Sequence, residues 1–188
     1  MWKNPYNQLE LPGTYGYDFG DYDSDPMDED EDGHGTHCAG VISAISDNNK
    51  GICGISNAKL MALKVFNSAG TSYDSAIIAA FNYIYKAQTL GANIAAINCS
   101  WGGGGKSSTS MKTLINQIGQ NGSLFLFAAG NDGEDHDNAI SDGCPYDLDS
   151  PYVVTVGAST QTDKKASFSD YGNKTVHLFA PGRNIFST

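Results

Sequence analysis

Short apolar runs of strand length alternate with longer amphipathic stretches from residue 34 onwards, and this alternation strongly limits how the chain can fold. We predict strands at 59–66, 94–99, 123–128, 152–156 and 175–179, and helices at 34–46, 73–90 and 107–120. The strands are apolar along nearly their whole length, as in a parallel sheet covered on both faces. The fold class is therefore α/β, a three-layer α/β/α sandwich around a mostly parallel sheet.

Residues 1–33 differ from the rest of the chain, because Pro, Gly, Asn and Asp dominate there and no period appears. We predict that they form loop with no apolar strand. A chain of 188 residues suits one domain. Within residues 1–188 we expect an acidic loop region, 1–33, followed by a parallel α/β core, 34–188. No apolar run reaches the length of a membrane span, and no signal peptide follows Met1.

The chain carries a net charge of −10, concentrated in two stretches. Residues 1–33 hold ten acids and one lysine, and residues 132–149 hold seven acids and no base. This balance argues against a nucleic-acid partner or an anionic membrane surface. The acidic stretches are either cation sites or solvated loops. The four cysteines, 38, 53, 99 and 144, lack the spacing of a zinc site and could form two disulfides or stay thiols.

Three segments that follow strands in the sequence carry most of the chemistry-bearing residues. They are 67–70, 100–103 and 130–133, and ligands of parallel sheets bind at the carboxyl ends of strands. Asn131 could direct its amide at a developing oxyanion, although Asn-Asp-Gly is also a turn signal. Residues 102–107 resemble a phosphate-binding loop, but Ser100 stands where that motif needs glycine. A glycine-rich edge that pairs with an extended peptide is the better interpretation.

His34 opens a predicted helix directly after the acidic loop. The positive end of the helix dipole favours the neutral imidazole, which is the form that a general base needs. A purely structural histidine is the alternative. A metal site with His37, three residues on, is a further alternative, but no third ligand lies at a typical spacing.

Seven stretches, in order, resemble the subtilisin-like serine proteases, the subtilases. They are His34–Gly40, Asn49–Ile55, Asn98–Gly103, Ala128–Gly133, Ser150–Ala158, Ala166–Ser169 and Ala180–Gly182. The resemblance covers nearly all of residues 18–188 and implies a subtilisin-like fold. It also implies an Asp-His-Ser triad that hydrolyses peptide bonds in polypeptide substrates.

The resemblance assigns roles residue by residue. His34 matches the triad base, and Asn131 matches the oxyanion-hole donor. The substrate-binding positions it implies are Gly70, Thr71 and Ser72 on one side, Ser100, Trp101 and Gly102 on the other, and Gly130 and Asp132 near the pocket for the P1 side chain. An acid at Asp132 would favour a basic or polar P1 residue. Cys38 matches a free thiol beneath the histidine.

Structural calcium is the cofactor that the sequence suggests. The alternating carboxylates Asp21, Asp23 and Asp25 could point several oxygens at one ion, although an exposed acidic loop explains them nearly as well. Asp47 and Asn48 are a second candidate, because they match the position of the family's calcium loop.

The family's aspartate motif, Asp-[Ser/Thr]-Gly, and its serine motif, Gly-Thr-Ser-Met-Ala, are absent from the 188 residues. We therefore expect an internal fragment of a catalytic domain, truncated at both ends and inactive by itself. The resemblance implies a secreted, extracellular protein with a pro-segment outside this sequence. A catalytically dead peptide-binding pseudoenzyme is the alternative, and a nucleotide-binding P-loop protein is a remote one.

Overall fold

The structure is a computed structural model that describes residues 1–102, 109–138 and 150–188. The chain forms two compact units: residues 1–91 with 186–188, and residues 92–185. The boundary between them lies in the loop after a long helix, where the sequence shows no change of composition. The division into an acidic loop region and a core at residue 33 stays a prediction.

The first unit contains two short parallel strands and two helices. In chain order these are β1 (Gly16–Asp18), α1 (His34–Ser43), β2 (Ala62–Lys64) and α2 (Asp74–Thr89). Strand β1 pairs with β2 so that Gly16 lies opposite Ala62 and Asp18 opposite Lys64.

Strand β1 corrects the expectation that residues 1–33 contain no strand. It has three residues, too few to show a period, and its partner β2 is far along the chain. Next to it, the rings of Tyr17 and Phe19 lie 4.9 Å apart, and Phe19 meets Tyr83 of α2 edge to face at 5.8 Å. The Tyr83 hydroxyl donates to the Pro12 carbonyl at 2.8 Å, so aromatic packing holds this segment on α2.

The second unit is a four-stranded parallel sheet with a helix against it. Its elements are β3 (Ala96–Cys99), α3 (Thr109–Gln120), β4 (Leu124–Ala128), β5 (Val153–Ser159) and β6 (Leu178–Pro181), and the strand order is β3-β4-β5-β6. Helix α3 buries one face, formed by Met111, Leu114, Ile115, Ile118 and Gly119. Phe125 and Phe127 of β4 are fully buried, with their rings stacked 6.1 Å apart.

The helices and strands predicted from residue 34 onwards are present, with shifted ends. Helix α1 ends at Ser43 instead of residue 46, because Ala44 adopts an extended conformation. Strand β5 continues to Ser159, and β6 begins only at Leu178, since the backbone before it binds the Asp137 side chain. The α/β class is confirmed, and no described helix is long and apolar enough to cross a membrane.

Strands β3 and β4 are neighbours in register, with Cys99 opposite Phe127. Their carboxyl ends therefore lie at the same edge of the sheet. The segments that follow them, which begin at Ser100 and Ala129, come out side by side at this edge.

Candidate functional site

The first turn of α1 is held by an acid from the preceding loop rather than by its own N-cap. Gly33, the N-cap, is left-handed with φ of 60° and makes no side-chain cap. Instead the Asp28 carboxylate accepts hydrogen bonds from the Thr36 amide at 2.7 Å and the Thr36 hydroxyl at 2.8 Å. Asp28 thereby satisfies an unpaired helix N–H and fixes where α1, and with it His34, begins.

His34 is exposed at this helix start, as a proton acceptor must be. Its Nε2 atom lies 3.7 Å from the Cys38 Sγ atom, one turn along α1. Although partial burial opposes ionisation, the bonds from Thr36 lower the pKa of the Asp28 carboxyl, and the charge of His34 contributes to the same shift. An ionised carboxylate therefore holds the first turn of the helix that presents His34.

His37 is half-buried in the same helix, and its carbonyl accepts the Ser187 hydroxyl at 2.7 Å. Among the described residues, one acidic group has the geometry to hold a metal, and it contains neither histidine. The structure therefore gives no support to a metal site on His34 and His37.

A tight hairpin follows β2 and carries Gly70, Thr71 and Ser72. Phe66 and Ser72 form an antiparallel bridge, and the Asn67 side-chain oxygen accepts the amide of Thr71 at 2.9 Å. Gly70 has φ of 71°, a conformation that favours glycine at the turn. The three predicted substrate-binding residues thus share one ordered loop, in which Gly70 and Thr71 are exposed.

The predicted residues of the second unit come together at the edge formed by β3 and β4. Trp101 packs edge to face on Phe127, with ring centroids 5.7 Å apart. The Ser100 hydroxyl accepts the Asn98 amide at 3.0 Å. The glycine-rich stretch that resembles a phosphate-binding loop continues into residues 103–108, which lie outside the described part of the chain.

Asn131 follows β4 at the same edge, and its side chain is exposed with no hydrogen bond to another described residue. Gly130, directly before it, has φ of 116°. The chain bends at Asn131 and Asp132, as the turn signal predicts. This bend is compatible with the oxyanion interpretation of Asn131, which stays a prediction.

Asp170 holds the loop of residues 130–134, and the sequence analysis did not identify it. Its Oδ1 atom accepts the amides of Asp132 and Glu134, each at 2.9 Å. Its Oδ2 atom lies 2.9 Å from Nε2 of His136, and both side chains are buried. Asp170 directly follows the matched stretch Ala166–Ser169, but the sequence gives no sign of contacts with residues more than 30 positions away.

Asp18 is the buried carboxylate nearest ahead of His34 in the described chain, and it is engaged elsewhere. Its Oδ1 atom accepts the amides of Gly20 and Asp21 at 2.7 and 2.9 Å. Its Oδ2 atom binds the Lys64 ammonium at 2.7 Å. Asp18 is therefore a structural ion-pair partner, and the structure gives it no bond to His34.

The acidic group with the geometry to hold a metal consists of Asp18, Asp21 and Glu29. The Lys64 ammonium lies among these three carboxylates. The distances from Nζ are 2.7, 2.9 and 3.4 Å. Although burial works the other way, the bonds and charges of Asp18 and Asp21 raise the pKa of Lys64 above its usual range. The Lys64 ammonium thus already neutralises these carboxylates, and the cluster does not fit an additional calcium ion.

The remaining predicted calcium ligands lie in exposed loops. Asp23 and Asp25 each accept a backbone amide two residues on, from Asp25 and Met27. Asp47 and Asn48 lie in a loop of residues 45–53 that lines an open cavity of about 300 Å³. Positive φ angles at Asp47, Asn49 and Gly51 fold this loop tightly and bring several oxygen donors into one short segment.

Three of the cysteines are thiols. Cys38 is half-buried, Cys53 is exposed and Cys99 is buried at the end of β3. Burial raises the pKa of the Cys99 thiol, so it is unreactive at neutral pH. Within the part of the chain that the structure describes, no disulfide joins these three to one another. The fourth, Cys144, lies outside the described residues.

The comparisons with known proteins identify the family of this chain. The family model described as "Subtilase family" matches residues 4–188. "Subtilisin-like protease 1" of Arthroderma otae is 40% identical over 166 residues, and "Extracellular basic protease" of Dichelobacter nodosus is 35% identical over 161 residues. A solved structure of a cold-adapted subtilisin-like serine proteinase aligns with a TM-score of 0.67 and 32% identity.

The matches cover most of this chain but only part of each relative. They take in 87% and 82% of this chain, against 31% and 25% of the two curated relatives. For the solved structure the shares are 92% of this chain and 56% of that one. The chain therefore spans less than two thirds of the proteins that it resembles.

Proposed function

This chain belongs to the subtilase family, and from that premise we propose that it contributes the base and one oxyanion donor of a serine endopeptidase. The observation that carries the proposal is the state of His34 and Asn131. Both side chains are exposed, and each is presented by a segment held in place by a carboxylate, Asp28 or Asp170.

In the proposed reaction His34 accepts the proton of a serine hydroxyl while the oxygen attacks the scissile carbonyl carbon. The histidine then gives this proton to the leaving amine, and water repeats the cycle on the acyl-enzyme. The Asn131 amide donates a hydrogen bond to the oxyanion of the tetrahedral intermediate. The serine and the aspartate of the triad come from sequence motifs that are not among these 188 residues.

The substrate in this proposal is an extended polypeptide. It binds along the loop of residues 70–72 on one side and along the segment of Ser100 and Gly102 on the other. Main-chain pairing of this kind is tolerant of substrate sequence. Asp132, exposed beside Asn131, adds a preference for a basic or polar P1 side chain.

The 188 residues alone are inactive in this proposal. Without a nucleophile no acyl-enzyme forms, so His34 has no hydroxyl proton to accept. A peptide-binding pseudoenzyme would keep the binding loops but would have no use for an exposed base and a free amide donor.

We also propose that calcium supports stability, held by the 45–53 loop instead of the Asp21 cluster. Asp47 supplies a carboxylate oxygen and Asn48 an amide oxygen, which suits the oxygen preference of calcium. The Asp18, Asp21 and Glu29 carboxylates already neutralise Lys64.

The proposal also includes secretion to the extracellular space, with a pro-segment. Secretion is supported by the extracellular protease among the relatives.

The test is peptide-amide hydrolysis by the intact protein that carries this sequence, with three variants. We expect His34→Ala to lower kcat by about 10⁴-fold or more, because the base is lost. We expect Asn131→Ala to lower kcat by about 10²–10³-fold, the range measured for such a donor in subtilisin, a member of this family. His37→Gln, in the same turn of α1, is the matched control and should keep kcat within about threefold.

The outcomes separate the alternatives. An intact protein that binds peptides but shows no hydrolysis sensitive to serine-directed inhibitors would make it a pseudoenzyme. Saturable nucleotide binding would instead favour the phosphate-binding loop. Equal losses in the His34→Ala and His37→Gln variants would contradict the assignment of the base.

A further inference from the structure

We propose that Asp170 is a positioning residue for the oxyanion donor: its buried carboxylate fixes the loop that presents Asn131. This inference rests on the proposed role of Asn131 in peptide hydrolysis. Asp170 is 2% exposed and Asn131 is exposed, so the carboxylate acts from beneath the loop and does not touch substrate.

The carboxylate binds the loop on the carboxyl side of Asn131. Its Oδ1 atom accepts the amides of Asp132 and Glu134, the first and third residues after the donor. Two N–H groups that converge on one oxygen leave the backbone of 132–134 little freedom, because any rotation there breaks both bonds.

The loop is also fixed on the amino side of Asn131. The Asp170 amide donates to the Gly130 carbonyl at 3.1 Å. Gly130 packs so closely on this carboxylate that a Cβ atom at residue 130 would collide with Oδ2 of Asp170. Asp170 thus contacts both neighbours of Asn131, whereas no hydrogen bond from a described residue holds the Asn131 side chain.

His136 keeps the carboxylate in this orientation. Its Nε2 atom lies 2.9 Å from Oδ2 of Asp170, on the side away from the two amides. The backbone adds two bonds, from the His136 amide to the Tyr171 carbonyl and from the Tyr171 amide to the Glu134 carbonyl. A buried carboxylate costs free energy unless it is fully bonded, and here both oxygens have partners.

The contacts of Asp170 with the 130–134 loop would assist catalysis by preorganising the oxyanion donor. An oxyanion donor is effective because its direction is set before charge develops, and a misplacement of about 1 Å costs up to about 10²-fold in rate. Free rotation of the 130–134 loop would therefore reduce kcat while leaving the proposed substrate-binding loop of residues 70–72 intact.

The experiment is steady-state kinetics of the intact protein with the variants Asp170→Ala and Asp170→Asn. We expect Asp170→Ala to lower kcat about 10- to 100-fold with KM within about threefold. Asp170→Asn keeps an oxygen for the two amides and should stay within about threefold of the wild type. Asp137→Ala is the matched control, because Asp137 accepts the amides of Asn173 to Thr175 in the same way but does not reach the 130–134 loop. Its kcat should stay within about twofold.

A double-mutant cycle tests whether Asp170 acts through Asn131. In the Asn131→Ala background, Asp170→Ala should cost less than about threefold in kcat, since there is no donor left to misplace. The inference alone is overturned if Asn131→Ala reduces kcat but Asp170→Ala does not. It is also overturned if the full Asp170→Ala loss persists in the Asn131→Ala background, or if Asp170→Asn fails to rescue while remaining folded. Should Asn131→Ala itself leave kcat unchanged, the proposed function fails, and the inference fails with it.

Discussion

At the scale of single residues, three aspartates that look alike in the sequence have three different partners. Asp18 pairs with the Lys64 ammonium, Asp170 binds loop amides and His136, and Asp137 binds the amides of residues 173–175. The need of each carboxylate for hydrogen-bond donors explains all three. The role depends on which donors the fold brings near, and not on the residue type.

Asp132 carries the prediction about substrate preference. In the intact protein we expect hydrolysis to be faster with Arg than with Leu at P1, and slowest with Glu, because an exposed carboxylate attracts the cation. Asp132→Asn should reduce the kcat/KM ratio of Arg to Leu substrates by about fivefold, as befits an exposed ion pair of about 1 kcal/mol. The effect should shrink as salt is added.

Glu134→Gln is the control for Asp132→Asn, since Glu134 is equally exposed in the same loop but two residues further from Asn131. A preference for Glu at P1 would contradict the role of Asp132. An identical change of ratio in both variants would mean that the general negative charge of the loop, and not Asp132, sets the preference.

At the scale of elements, the helices and the strands from residue 34 onwards were predictable, and strand β1 was not. The helix predicted at 73–90 is α2, Asp74–Thr89, because sixteen residues give several turns of one apolar face. Strand β1 has only three residues, and its existence depends on pairing with β2, which lies far along the chain. Periodicity also finds the buried face of α3, but not that Gly119 on it makes room for the Tyr152 ring.

Some residues of the candidate site were likewise predictable from the sequence, and others were not. His34, Asn131 and the loop residues were predictable because each lies in a local motif with its own neighbours. Asp170, His136 and the pairing of Lys64 with Asp18 were not, because their partners lie more than 30 residues away in the sequence. Local motifs therefore predict the reacting groups, and the groups that position them become visible only in the fold.

The 45–53 loop carries the prediction about calcium. We expect a chelator to lower the melting temperature of the protein, since a ligand that binds only the folded state stabilises it by mass action. Asp47→Asn should abolish most of the difference between melting with and without chelator. Asp23→Asn, an equally exposed acid in the other candidate loop, should retain it. A melting temperature unaffected by chelator would contradict calcium binding, and the reverse pattern of variants would move the site to the Asp21–Asp25 loop.

At the scale of the whole molecule, acids outnumber bases 21 to 11, so one-to-one pairing with lysine or arginine would leave at least ten carboxylates without a partner. The molecule binds several of them with backbone amides instead. Although burial opposes the shift in each case, hydrogen bonds that include such amides lower the pKa of Asp28, Asp137 and Asp170. Loops that lack regular structure are thereby fixed by ionised side chains, and the same loops carry Asn131 and the start of α1.

The lowered pKa values of these carboxyls predict how the free energy of unfolding depends on pH. A carboxyl whose pKa is lower in the folded state than in the unfolded chain binds fewer protons when folded, so the free energy of unfolding rises with pH where the two states differ. The stabilisation from Asp28, Asp137 and Asp170 should be complete above about pH 5 and should be lost as the pH falls below about 4, towards the folded pKa values.

Urea midpoints measured from pH 7 down to pH 3 at about 0.15 M salt test this pH dependence, since salt screens the general repulsion of the acidic surface. Asp137→Asn should flatten the curve below pH 5, whereas Glu31→Gln, whose exposed carboxylate accepts no hydrogen bond from a described residue, should leave its slope unchanged. A midpoint that rises on acidification, or equal flattening in both variants, would show that charge repulsion and not the amide-bound carboxylates controls acid stability.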